Sequence, residues 1–153
     1  MRLTTKGRYA VTAMIDLALH QGERAVTLRD IAENQKISLS YLEQLFAKLR
    51  DSQLVEGVRG PGGGYRLARD VDTISIAQII AAVDEPMHFT DCGGNENCRD
   101  GQKCLSHHLW ETLTDQLDSF LSNIYLGTMM RESAEQAAKA KTNRDVQHVA
   151  LPN

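Results

Sequence analysis

At 153 residues, with 42% hydrophobic and only 5% aromatic content, the chain suits one domain with an appendage, its core built of Leu, Ile, Val, Ala and Met. The net charge of −3 is unevenly divided: residues 1–70 carry eleven Lys and Arg against eight Asp and Glu, and the remainder carries six against twelve. No apolar run is long enough to span a membrane, and the basic start "MRLTTKGRYAV" has no apolar stretch behind it, which argues against a signal peptide and for a cytoplasmic protein.

In chain order, the first element is a helix through "TTKGRYAVTAMIDLALHQG". Thr4 or Thr5 can cap it, Tyr9, Ala13, Met14, Leu17 and Ala18 recur at helical spacing, and Gly22 ends it. "TLRDIAENQ" predicts a short second helix with Thr27 as N-cap, Asp30 at its positive end, and Leu28, Ile31 and Ala32 inward. After the break "KIS", a third helix carries Leu42, Leu45, Phe46 and Leu49 at i, i+3, i+4 and i+7 as its buried stripe. Ser38, Ser40, Tyr41, Glu43, Gln44, Ala47 and Lys48 are left outside. Two short helices joined by a tight turn, the second led by small polar residues, form a helix-turn-helix over residues 28–51, and the second helix of such a pair enters the major groove.

Residues 54–68 follow as a hairpin, with Leu54, Val55 and Val58 on one strand and Tyr65 and Leu67 on the other. The intervening "RGPGGG" is almost bare backbone from Gly60 onward, with Arg59 at its edge. Such a loop can lie against phosphate or enter a narrow A·T-rich minor groove. A nucleotide-phosphate loop is the competing reading, but no Gly-Lys-Ser/Thr follows. A Gly-rich hairpin directly after a recognition helix is a wing.

Next comes a short helix from Ser75, with Ile76, Ile79, Ile80 and Val83 inward and Pro86 as its stop. A loop over 91–107 holds all three cysteines, and a long helix is predicted over 105–127. Trp110, Leu113, Leu117, Phe120, Leu121 and Ile124 form its apolar stripe. A chain this small has little else to cover that stripe, which predicts a homodimer reading a palindromic site in double-stranded DNA. Residues 132–153 are small and polar and are expected to be a flexible tail. The fold class is therefore mostly α with a small β-hairpin wing: a winged helix-turn-helix plus a long dimerisation helix. No histidine stands beside a plausible nucleophile, so the chain does not read as an enzyme.

The cysteine loop has the spacing Cys92-x5-Cys98-x5-Cys104-x2-His107. In a reducing compartment a disulfide is disfavoured, and it leaves one thiol unpaired. Zinc accepts three Cys and one His, but zinc modules bring ligands in tight C-x2-C pairs. Wider gaps suit a two-iron cluster, around which Gly93, Gly94 and Gly101 let the loop fold. Zinc and redox thiols remain alternatives at this point. Cys104 and His107, three apart, can share one face at a helix start, whereas His108 points about 100° away.

The segments "MRLTTKGRYAVTAM", "ISLSYLEQLF" and "VRGPGGGY", together with the Cys-x5-Cys-x5-Cys-x2-His set, resemble the iron–sulfur cluster regulators of the Rrf-type winged-helix transcription factors. The resemblance runs from Met1 to about residue 131. It implies that Cys92, Cys98, Cys104 and His107 ligate a 2Fe–2S cluster. It further implies that Ser38, Ser40, Glu43 and Gln44 face DNA from the recognition helix and that Arg59 lies on the minor-groove wing. Tyr41 beside them, Gly60 in the bare loop, and Arg2, Lys6 and Arg8 near the first helix start complete the expected DNA contacts. The family's role is feedback: loaded, the protein represses the genes that build clusters, and cluster-free it can act, as activator or repressor, at a second class of promoter. The assembly machinery is the expected cluster donor. Glu43 has two readings, as a base-facing carboxylate or as the partner of Ser40 in a capping box.

Overall fold

The computed structural model describes residues 4–84 and 88–149. The expected phosphate contact Arg2 and the expected helix stop Pro86 lie outside them. The chain opens with α1 (Thr5–His20), the helix-turn-helix is α2 (Leu28–Gln35) and α3 (Leu39–Asp51), and the wing is β1 (Val55–Val58) and β2 (Gly64–Leu67). A 3-10 turn at Val71–Thr73 leads into α4 (Ile76–Val83), and the C-terminal part is α5 (His107–Ser122) and α6 (Leu126–Val149).

Each N-terminal helix starts on a residue whose side chain takes an otherwise orphaned backbone N–H. Thr4 accepts from Gly7 at 3.2 Å, Thr27 from Asp30 at 3.1 Å and Ser38 from Tyr41 at 3.2 Å. At α4, Ser75 and Gln78 form a reciprocal capping box. Lys36 ends α2 in the left-handed region, at φ 56°, and makes the tight turn that sends the chain into α3.

The hub is α1, against which α2, α3, α4 and α6 all pack. Ala10, Ala13, Met14 and Leu17 present its buried face to Leu42, Leu45, Phe46 and Leu49 of α3 and to Ile79 and Val83 of α4. Tyr9, expected on that face, is instead partly exposed and meets Tyr41 edge to face at 5.8 Å. The hub also carries a buried charge that sequence reasoning missed. Asp16, 1% exposed, accepts from Gln35 Nε2 at 2.6 Å and lies 3.1 Å from His20 Nδ1. It locks the end of α2 to α1.

The hairpin pairs Val55 with Leu67 and Val58 with Gly64, antiparallel. Val26, before α2, adds a bridge: its N–H donates to the Tyr65 carbonyl at 3.0 Å, and Tyr65 N–H donates back at 2.7 Å. Backbone approaches so closely there that a Cβ on Gly64 would collide with the Val26 carbonyl. Phe46 meets the Tyr65 ring edge-on at 5.0 Å, so the wing is seated on the recognition helix.

Two expectations for the C-terminal part are corrected. The long helix predicted over 105–127 begins at His107 and stops at Ser122. Ile124 and Leu126 are drawn instead into a bridge with the start of α4: Ile76 N–H donates to Ile124 at 2.8 Å and Leu126 N–H donates to Ile74 at 2.8 Å. A backbone committed to those bonds cannot continue the helix, and the Asn123 amide closes α5 by donating to Ser119 at 2.7 Å. The second correction concerns the expected tail, which is helical to Val149. Residues 134–146 are exposed throughout, so this helix rests on the high helix propensity of its Ala, Glu, Gln, Lys and Arg rather than on a buried face. Among the described residues no helix is long and apolar enough to cross a membrane.

Candidate nucleic-acid interface and metal centre

With Ser38 at the N-cap of α3, Ser40 lies in its first turn and cannot cap it. The proposed box between Ser40 and Glu43 is therefore overturned. Ser40, Glu43 and Gln44 are exposed together on one face, and among the described residues the Glu43 and Gln44 side chains have no hydrogen-bond partner in the chain. Tyr41 is half-buried against Tyr9. Lys48, expected outward, reaches across to the Val83 carbonyl at 3.2 Å and closes the end of α4.

The wing tip is a turn in which Gly63 N–H donates to the Gly60 carbonyl at 2.9 Å. Pro61 fills its second position, and Gly62 takes the left-handed third position at φ 73°, which makes it a type II turn. Arg59 and Gly60 are exposed beside it. Lys6 and Arg8 are exposed at the start of α1. The exposed groups thus combine a helix N-terminal face, a bare loop with an Arg, and two cations, all suited to a duplex.

The metal-capable residues sit on the loop between α4 and α5. Thr90, buried, anchors it: its hydroxyl accepts from Gly94 N–H at 2.9 Å and its carbonyl from Gly93 N–H at 3.1 Å. Gly93, Gly94 and Gly101 all have positive φ, which lets the chain double back. Lys103 and Glu96, 2.7 Å apart, brace the loop from outside. The three glycines were expected from the sequence, whereas the Thr90 anchor and the Lys103–Glu96 brace were not, because each depends on how the loop closes.

Inside, Cys92 and Cys98 bring their sulfurs to 3.2 Å, and His107 Nδ1 lies 3.0 Å from Cys98 Sγ and 3.6 Å from Cys92 Sγ. These three donors all lie within 4.8 Å of one another. Cys104 stands just outside that trio, its sulfur 3.8 Å from Ser106 Oγ, while its backbone N–H and thiol abut Cys98. Cys104 also precedes α5, so it and His107 meet through a turn, with His107 N–H donating to the Cys104 carbonyl at 3.1 Å, and not through a shared helix face. The two histidines are separated clearly: His107 is 2% exposed among the thiols, and His108 is 94% exposed.

The local field favours a thiolate. Burial raises the Cys92 pKa, but donation from Cys98, Thr90 and the Gly94 and Glu96 backbones outweighs it and brings the thiol down to about 6. At Cys98 the Cys104 backbone N–H favours the thiolate, yet the Cys92 sulfur, burial and the Cys104 thiol together push the pKa up. A set of soft sulfurs with one imidazole, and no carboxylate within the trio, fits an iron–sulfur cluster or zinc and not a hard cation such as magnesium. The second ring nitrogen, Nε2, is buried without a hydrogen-bond partner, which leaves Nδ1 as the atom aimed at the thiols.

This combination of a seated wing, an open recognition face and a thiol–imidazole loop defines a DNA-binding transcription regulator with a metal-capable loop. The model of the Rrf2 family, described as iron-dependent transcriptional regulator, matches residues 3–132. The chain belongs to that family. It is 50% identical over 151 residues to an HTH-type transcriptional regulator IscR of Photobacterium profundum, covering 99% of this chain and 88% of that one. It is 57% identical over 133 residues to the IscR of Vibrio cholerae, covering 87% and 77%. Among solved structures, T. potens IscR superposes with a TM-score of 0.74 at 37% identity, covering 89% of this chain and 90% of that one. CymR, the global cysteine regulator of B. subtilis, superposes at 0.75 and 31% identity, covering 86% and 98%. These relatives are named as regulators, not enzymes.

Proposed function

We propose that the chain is a homodimeric regulator whose choice of promoter depends on a 2Fe–2S cluster held by Cys92, Cys98, Cys104 and His107. The observation that carries this reading is the pair of sulfurs and the buried imidazole nitrogen within 3.0–3.6 Å of one another in a loop braced from outside. Cys104 adjoins the trio through Cys98 and needs only a side-chain adjustment to supply the fourth donor. The cluster supplies an iron centre that can be gained, lost or reduced. The chain's own residues hold it, bury it on one side and join it directly to α5 through His107. One imidazole among three thiolates is the ligand most easily protonated and displaced, which suits a gauge of cluster supply.

On this reading the loaded dimer represses the genes for cluster assembly, and the cluster-free dimer acts at a second class of promoter. The assembly machinery loads it. Ser38, Ser40, Glu43 and Gln44 read base edges, Gln44 being able to make two hydrogen bonds to adenine. Tyr41 supports the start of that helix, Arg59 and Gly60 enter the minor groove, and Lys6 and Arg8 meet phosphates. Exposed Leu109, Leu113 and Phe120 on α5 support pairing of two copies.

Anaerobic purification tests this directly. The expected product is coloured, with iron and acid-labile sulfide in equal amounts, and its preference between DNA sites changes when the cluster is removed. A colourless protein with stoichiometric zinc and an unaltered site preference would overturn the proposal.

A further inference from the structure

Resting on that cluster assignment, we propose that Glu111 is the positioning residue for His107, accepting the Nε2 proton so that Nδ1 remains the ligating nitrogen. A neutral imidazole has one N–H and one lone pair. With Nδ1 turned to the sulfurs at 3.0 and 3.6 Å, the proton belongs on Nε2. Nε2 is buried and has no hydrogen-bond partner, an arrangement that is costly while it lasts. Glu111 Oε1 is 3.9 Å away, one helical turn along α5 on the same face. That gap exceeds a hydrogen bond by about 1 Å, and the Glu111 side chain, 40% exposed, is free to close it.

Two neighbours could compete for this pairing, Glu96 and His108. Glu96 also lies within 4.8 Å of the His107 and Glu111 donor atoms, but its carboxylate is held by the Lys103 ammonium at 2.7 Å, which also lowers its pKa. His108 faces the other oxygen of Glu111, Oε2, at 4.0 Å and from solvent, leaving Oε1 for His107. A ligating histidine whose second N–H meets a carboxylate is fixed in tautomer and ring orientation and becomes a stronger donor. Glu111 therefore slows loss of the most labile ligand, and its charge opposes reduction of the cluster.

The test uses the full-length chain, reconstituted anaerobically, as wild type, Glu111→Ala, Glu111→Gln and Glu96→Ala. Two quantities are read: decay of visible absorbance in a ferrous chelator, and the reduction midpoint potential. Glu111→Ala is expected to load the same iron and sulfide, lose them about ten-fold faster and show a higher potential. Glu111→Gln keeps an acceptor oxygen but no charge, so it recovers most of the lifetime while its potential stays high. Glu96→Ala matches wild type in both. Equal lifetimes and potentials for Glu111→Ala and wild type overturn the proposal, as does a Glu96→Ala variant that reproduces the losses. A wild-type chain that takes up no iron and sulfide overturns the cluster assignment itself and this inference with it, whereas a loaded wild type indifferent to Glu111 overturns this inference alone. Thermal melting of the cluster-free variants checks the fold, and if Glu111→Ala does not fold, the potential of Glu111→Gln decides.

Discussion

Ser38 carries a capping role besides the proposed reading one, whereas Glu43 is left with the reading role alone. Ser38 holds the Tyr41 N–H at 3.2 Å, so Ser38→Ala should cost about 1 kcal/mol in urea unfolding. Among the described residues Glu43 has no side-chain partner, so Glu43→Ala should leave stability within about 0.5 kcal/mol while changing the ratio of affinities for different operators in a binding titration. A reversed result would return Glu43 to a structural role. Asp16 behaves differently again. Asp16→Ala removes the charged acceptor that ties Gln35 to α1 and should destabilise the chain by about 1–3 kcal/mol, read as a lowered urea midpoint with unchanged slope. The caps at Thr4 and Thr27 and the helix start at Ser75 were legible because a cap is decided within four residues, whereas the cap of α3 lies at Ser38, two residues before the Ser40 that the capping-box spacing offered. Asp16 was not, because its main partner lies 19 residues away and only the docking of α2 on α1 brings it there.

The same contrast between local and distant causes governs the elements. The helix-turn-helix and hairpin follow from period, caps and glycines, and they appear where expected. The division of the predicted long helix does not follow from them. "LSNIYLGTMM" reads as continuous helix, and what interrupts it is the bridge to Ile74 and Ile76, some fifty residues upstream in the chain. The helix after residue 131 was misread for another reason: it lacks an apolar face, and that lack says nothing about backbone propensity. Leu126 anchors the junction and is fully buried, so Leu126→Ala should cost about 2–5 kcal/mol in the same unfolding experiment, whereas substitutions among exposed residues 134–146 should cost little.

For the whole molecule, the unresolved account of apolar surface lies on α5. Phe120 is 62% exposed and Leu109 60%, and of the described helices and strands α4 is the one that packs substantially on this helix. Phe120→Glu should therefore shift sedimentation toward the monomer and weaken binding to a palindromic operator much more than to a half-site. An unchanged dimer would place the partner contact elsewhere. That the cysteine loop gathers thiols and a histidine was legible from spacing. The choice between His107 and His108 was not, because it depends on burial, which the turn at Cys104 creates.

The bridge that ends α5 also gives it the mechanics of a lever. Hydrogen bonds of 2.8 Å on both sides of Tyr125 pin one end to the start of α4. The other end begins at His107, sixteen residues away by the helix's own span, which is an arm of about 24 Å. A pull on His107 then swings the arm about its pivot instead of sliding it. Leu109, near the free end, travels furthest and Phe120, near the fulcrum, least. If two copies pair through α5 and the loop is loaded as proposed, such a tilt would change the distance between the two reading heads.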